Sequence, residues 1–63
     1  MHSLLQARAL FEQGVQQVES GLWAQAESSF AQALALAPDR PSVLMNLGVV
    51  RAALGRPTQA IEL

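Results

Sequence analysis

The amino-acid sequence predicts an all-α fold built from antiparallel helix-turn-helix repeats. Three observations support this prediction: the composition, an internal repeat and the helical spacing of the apolar residues. Apolar residues make up 51% of the 63 residues, and only 5% of the residues are aromatic. Alanine, leucine, glutamine and glutamate favour helices, whereas strands are enriched in β-branched and aromatic residues. The composition therefore favours helices, in one small domain or in a part of a larger one.

The internal repeat emerges when the sequence is compared with itself at an offset of 34 residues. Six identical pairs align at this offset: Leu10 with Leu44, Gly14 with Gly48, Val15 with Val49, Gly21 with Gly55, Gln25 with Gln59 and Ala26 with Ala60. Periods of about 20–50 residues are typical of repeat proteins whose units stack on one another. We therefore divide the chain into an N-terminal extension, residues 1–6, a first unit, residues 7–40, and a truncated second unit, residues 41–63.

The first predicted helix opens at Ser3, because Ser3 and Gln6 have the spacing of a capping box. Small and apolar residues then recur at spacings of three and four, as they do on one face of a helix. These residues are Leu4, Ala7, Phe11, Gly14 and Val18. Gly21 is expected to end this helix, because glycine adopts the left-handed conformation without steric cost.

The second helix is predicted from about Trp23 to about Leu36, without a good capping residue at its start. Its buried face is predicted to comprise Trp23, Ala26, Phe30, Ala33 and Ala37. Pro38 and Pro41 separate it from the third helix, because the residue before a proline avoids the helical conformation. A proline also suits the first turn of the helix that follows.

The third helix is predicted from about Pro41 to Leu54, with Gly55 as its stop. A fourth helix from about Pro57 to Leu63 is too short to be stable alone, because isolated helices below about 12–15 residues are marginal in water. Such a short helix is expected to leave three apolar side chains of the third helix partly bare: Leu44, Leu47 and Leu54. This surface favours fraying or a homodimer.

These features together resemble the tetratricopeptide repeat family. The family pattern has small residues at helix contacts, an aromatic residue in the second helix and a proline near its end. The matching residues are Gly14, Ala26, Phe30, Ala33 and Pro38 in the first unit, and Leu44, Leu47, Gly48 and Ala60 in the second. The resemblance covers residues 7–63 and implies an α-solenoid fragment of one and a half to two units, with three full helices and a truncated fourth. It also implies that the two glycines allow paired helices to approach closely.

Three positions depart from the family pattern. Gln13 stands where a large aliphatic residue is usual, and Gln17 and Arg51 stand where large, often aromatic residues are usual. The first helix is therefore expected either to pack loosely or to be rotated so that Val18 fills the space.

No pattern in the sequence predicts catalysis, so we predict a protein that is not an enzyme and binds no cofactor. The chain has no cysteine and one histidine, His2, whereas a metal site needs three or four ligands. Ser28 and Ser29 have no nearby base and are expected on the solvent side of the second helix. Arg8 and Glu12 have the spacing of a surface ion pair. The glycines match no phosphate-binding loop.

The charge limits the class of partner. Four arginines, no lysine and five acidic residues give a net charge of −1, whereas nucleic-acid-binding domains usually carry a basic surplus. No apolar run approaches the ~20 residues of a membrane span, and the first residues lack a signal-peptide pattern. We therefore expect neither a nucleic acid nor a membrane as partner, and a cytoplasmic location by default.

The resemblance implies a concave groove, lined by the first helix of each unit, that holds a peptide or a helix of another protein. The residues expected to face it are Phe11, Glu12, Val15, Val18 and Glu19 from the first unit, and Met45, Asn46 and Val49 from the second. Alternatively, Phe11, Val15 and Val49 simply contact one another between the units. Some family members grip the C-terminal carboxylate of chaperone tails with lysine, arginine and asparagine. Only Asn46 matches that clamp, so a chaperone tail is not the expected partner.

The sequence therefore predicts a protein-interaction module. Two alternatives stay open. The repeats precede a glycosyltransferase-type or methyltransferase-type catalytic domain that this chain does not contain, as similar repeats do, or they act as a self-assembly element.

Overall fold

The computed structural model describes residues 2–55, which contain three helices and no β-strand. Helix α1 spans His2–Glu19, α2 spans Trp23–Leu36 and α3 spans Pro41–Ala53. Helix α2 packs against both α1 and α3. The all-α prediction and the bounds of α2 are confirmed, whereas the predicted fourth helix and Ala60 lie outside the described residues.

The structure describes the capping residues of α2 and α3, and both helices start without a side-chain cap. Helix α1 already begins at His2, so the prediction of a helix start at Ser3 is wrong, because a capping residue must itself be non-helical. Leu22 caps α2 and Arg40 caps α3, and neither makes a side-chain capping hydrogen bond. Pro41 opens the first turn of α3, where its missing N–H would have no helical partner in any case.

Glycine ends the first and third helices as predicted. Gly21 has a φ of 75° and Gly55 a φ of 80°, in the left-handed region. After α1, the N–H of Gly21 donates to the Val18 oxygen at 3.0 Å and the N–H of Leu22 donates to the Gln17 oxygen at 2.8 Å. This pair of bonds is a Schellman motif, which satisfies carbonyls at the end of the helix.

The core lies on both sides of α2. Its buried apolar residues are Ala26, Phe30 and Ala33 from α2 and Val43, Leu47 and Val50 from α3. The predicted buried face of α2 is thus confirmed at its three central positions, and Trp23 packs against this core from the edge. The expectation that Leu47 is partly bare is wrong: it is 0% exposed because it joins the same cluster as Phe30.

Helices α1 and α2 approach each other closely at Gly14. A methyl group built on Gly14 would lie 2.6 Å from Cε1 of Phe30, well inside van der Waals contact. Phe30 is itself 0% exposed and belongs to the core cluster, so moving its ring would disturb the side chains packed around it. The prediction that Gly14 permits a close approach is confirmed. Gly48, its counterpart one repeat later, is half-buried on α3.

Gln17, which departs from the family pattern, forms a hydrogen bond with α2. The hydroxyl of Ser29 donates to Oε1 of Gln17 at 2.6 Å. Ser29 is only 4% exposed, so its predicted solvent position is wrong, whereas Ser28 is exposed as expected. A buried hydroxyl requires a hydrogen-bond partner, and Gln17 supplies it. Val18 is partly buried and packs against the core alongside.

Arg51, which also departs from the family pattern, forms the equivalent link from the other side of α2. Its Nε lies 3.3 Å from Oε2 of Glu27, and both side chains are partly buried. Arg51 stands 34 residues after Gln17. The same repeat position therefore carries a polar side chain twice, and each time that side chain reaches a polar residue of α2.

Candidate partner-binding groove

One wall of the candidate groove is a stripe along α1. Arg8, Glu12, Val15 and Glu19 recur at spacings of four, three and four residues, so they share one side of the helix. Glu12 and Glu19 are exposed, whereas Val15 is half-buried and packs against the core. The stripe is therefore charged at both ends and apolar between them.

Phe11 and Val18 lie closer to the core on the same helix. The Phe11 ring packs beside Phe30, with ring centroids 5.7 Å apart and planes tilted by 52°. Phe11 and Val18 are both half-buried. The apolar residues predicted to face the groove from α1 thus pack against the core with one part of their surface and leave another part exposed.

The opposing wall is a stripe along α3. Ser42, Met45 and Val49 recur at spacings of three and four, which places them on one side of the helix. Met45 is 69% exposed and Val49 is 56% exposed. Val49 therefore keeps most of its surface free of contacts between the repeats.

Asn46 lies beside this stripe and is half-buried. Its Nδ2 donates to the backbone oxygen of Ser42 at 2.7 Å, one helical turn back. The one residue that matches the chaperone-tail clamp is thus already bonded within its own helix.

A cleft of about 390 Å³ extends the groove between the first halves of α1 and α3. Apolar side chains and two arginines line it, among them Leu4, Leu5, Arg8, Phe11, Arg40 and Val43. Leu4 and Leu5 remain 52% and 68% exposed. The cleft is open enough for a partner's side chains to reach these leucines.

Sequence reasoning found only part of this cleft. Phe11 belongs to the predicted groove residues, but Leu4, Leu5 and Arg40 do not. The helical spacing of Leu4 and Phe11 was a usable signal, since both lie on the predicted apolar face. The family resemblance implies that α1 and α3 line one groove, but it does not indicate that Leu4, Leu5 and Arg40 line a cleft at its end.

The charges around the cleft are unequal. Among the residues that the structure describes, Arg8 and Arg40 line it and no acidic side chain does. The predicted ion pair of Arg8 with Glu12 is confirmed at 3.5 Å, but both side chains are exposed, so it contributes only about 0.3–0.5 kcal/mol. Arg40 forms no ion pair with any residue in the range 2–55. The described lining of the cleft therefore combines an apolar surface with two arginines, of which Arg8 is paired with Glu12 and Arg40 is not paired with any residue in that range.

The part of the chain that the structure describes offers no other obvious chemistry. Within residues 2–55, no group of three or more histidine, cysteine, aspartate or glutamate side chains is placed to hold a metal ion. None of the three described helices is long and apolar enough to cross a membrane. What the fold does bring together is an apolar cleft between α1 and α3 that Arg8 and Arg40 also line.

Comparison with known families agrees with this architecture. A tetratricopeptide repeat family model matches residues 11–63. The chain belongs to the tetratricopeptide repeat family. Neither the curated proteins nor the solved structures yielded a match. Tetratricopeptide repeats are in general modules that bind other proteins or peptides, and membership of the family supports that general role for this chain.

Proposed function

We propose that this tetratricopeptide repeat chain binds a peptide or a helix of another protein in the groove between α1 and α3. The observation that carries the proposal is the exposure of Met45 and Val49, 69% and 56%, on the stripe of α3 that begins at the cleft. Both side chains are large and apolar, and they stand next to each other, one helical turn apart.

The expected gain on binding comes from apolar burial. Fully burying a side chain the size of methionine or valine is worth about 1.5–3 kcal/mol, and more than half of each surface is still available. Phe11 and Val15 add half-buried apolar surface from the opposite wall. A partner that touches both walls therefore gains enough to offset part of the entropy lost when it is ordered.

A phage-displayed library of random peptides, selected on the 63-residue chain, tests the proposal without knowledge of the natural partner. Enriched peptides are then synthesised, labelled with fluorescein and titrated by fluorescence polarisation. The test variant is the double substitution Met45→Gln/Val49→Gln, which removes apolar surface but keeps good helix formers. The matched control is Leu36→Gln, because Leu36 is a partly exposed apolar residue at the end of α2.

We expect the enriched peptides to lose at least about tenfold in affinity for the double variant, since about 1.4 kcal/mol of lost contact corresponds to that factor. Leu36→Gln should bind as the parent chain does, and circular dichroism should show unchanged helicity in both variants. Equal binding by the parent chain and the folded double variant would place binding on another face. Sedimentation of the same samples tests the alternative of self-assembly, because a dimer that dissociates when peptide binds would use the same groove.

A further inference from the structure

We propose that the cleft between the first halves of α1 and α3 selects a peptide segment that interleaves apolar and acidic side chains. This inference rests on the proposed function, because it specifies the partner chemistry for one end of the same groove. It draws on the apolar lining of the cleft, its two arginines and the distribution of charge along α1.

The apolar part of the lining accounts for the proposed preference for apolar side chains in the partner. Leu4 and Leu5 are both more than half exposed, and Phe11 and Val43 extend the apolar surface between the two helices. Exposed large apolar side chains that are grouped in a concave site are typical of peptide-binding surfaces. A partner therefore needs apolar side chains to cover them.

The two arginines account for the proposed preference for acidic side chains in the partner. Arg8 reaches the cleft from α1 and Arg40 from the residue that precedes α3, and none of the described lining side chains is a carboxylate. Guanidinium groups bind carboxylates through charge-assisted, often bidentate hydrogen bonds. The positive end of the α3 dipole lies at the same edge, because Ser42 lines the cleft from the first turn of that helix.

The charges further along α1 predict at which end of the groove the acidic side chains of the partner lie. Glu12 and Glu19 stand on the same stripe as Arg8, toward the C-terminal end of the helix. Like charges repel, so an acidic side chain of the partner is favoured beside Arg8 and Arg40 and disfavoured near Glu19. The chain as a whole has a net charge of −1, which disfavours a nucleic acid as the ligand of these two arginines.

Three fluorescein-labelled peptides of equal length test the inference by fluorescence polarisation. One interleaves leucine with aspartate, the second replaces every aspartate by asparagine, and the third replaces every aspartate by lysine. All three carry a C-terminal amide, so a terminal carboxylate cannot contribute. A labelled oligothymidylate of similar size serves as the nucleic-acid probe.

The aspartate peptide should bind the parent chain most tightly and the lysine peptide least. Arg8→Gln and Arg40→Gln should each weaken the aspartate peptide about two- to fivefold, the range for exposed ion pairs, and the double variant about tenfold. The asparagine peptide should respond little to either substitution. Rising salt should weaken the aspartate peptide selectively, because exposed charges are screened. Gln25→Glu, which makes the same change in net charge at an exposed position of α2, is the control and should have no effect.

The outcomes separate this inference from the proposed function. Equal affinity of the aspartate and asparagine peptides, or unchanged binding by the arginine double variant, would overturn the charge preference. If Met45→Gln/Val49→Gln still weakened those peptides, the groove itself would stand. Failure of all three peptides to bind the parent chain would overturn the inference and count against the groove. Tighter binding of oligothymidylate than of the aspartate peptide would assign the arginines to nucleic acid and overturn the inference as well.

Discussion

Toward α1, helix α2 lies so close that a methyl group on Gly14 would stand 2.6 Å from the Phe30 ring, whereas toward α3 it is covered by branched side chains. Val43, Leu47 and Val50 supply that cover, each at most 4% exposed. The first contact depends on the absence of a side chain and the second on the volume of several. We therefore expect the α1–α2 contact to be disrupted by added atoms and the α2–α3 contact by removed ones.

The two sides of α2 also differ in the kind of polar interaction that links α2 to its neighbour. On the α1 side, Ser29 and Gln17 form a neutral hydrogen bond, and on the α3 side, Arg51 and Glu27 form an ion pair. Gln17 and Arg51 occupy the same repeat position. One position in the repeat can therefore be filled by different chemistry, provided that α2 supplies the complementary group.

The largest expected loss of stability comes from a side chain added at Gly14, where α1 and α2 are in close contact. Gly14→Leu should lower the free energy of unfolding by about 3 kcal/mol, the upper end of the range for overpacking, because Phe30 is fully buried and moving its ring would disturb the side chains packed around it. Domains of this size rarely have more than about 3–5 kcal/mol of stability, so urea denaturation followed by circular dichroism should show a mostly unfolded chain.

Two further variants sharpen that test. Gly14→Ala should still destabilise, although its helix propensity improves by up to about 1 kcal/mol. Gly48→Leu should be milder than Gly14→Leu, because Gly48 is half-buried rather than buried. A Gly14→Leu chain as stable as the parent would contradict the close-contact interpretation.

A smaller effect is expected at the turn between α1 and α2. Gly21 has a φ of 75° and no atom within 4 Å of an added Cβ, so Gly21→Ala tests backbone conformation alone. The expected loss is about 1–2 kcal/mol, the cost of the left-handed conformation for other residues. The α2–α3 turn relies on proline instead, and Pro41→Ala should cost only about 0.4–1 kcal/mol. Urea denaturation measures both, and a neutral Gly21→Ala would mean that the turn adjusts without glycine.

The smallest expected effects are the coupling energies of the two polar links, which double-mutant cycles measure. Ser29→Ala with Gln17→Leu should give a coupling energy of about 1 kcal/mol that is insensitive to salt. Glu27→Gln with Arg51→Met should give about 0.5–1 kcal/mol that shrinks as ionic strength rises. Urea denaturation at two salt concentrations measures both cycles. The comparison fails if the two coupling energies respond to salt alike.

Part of the groove was predictable and part was not. Met45 and Val49 were predicted from their place on the first helix of the second unit, and the structure leaves both exposed. Arg40 was not predicted, because it lies just before α3 and reaches the cleft only when the fold brings the start of α3 near α1. The role of the predicted residues in binding remains a prediction.

The sequence by itself determined most of the described helix bounds, although not the start of α1. The apolar spacing and Pro41 predicted the bounds of α2 and the start of α3, and Gly21 and Gly55 predicted the helix stops, because propensity and backbone conformation act within a few residues. Tertiary structure alone decided the burial of Ser29 and of Leu47, since each depends on which neighbouring helix faces it. It also decided the cleft and the two polar links, because each of these joins residues of different helices whose distance no local pattern encodes.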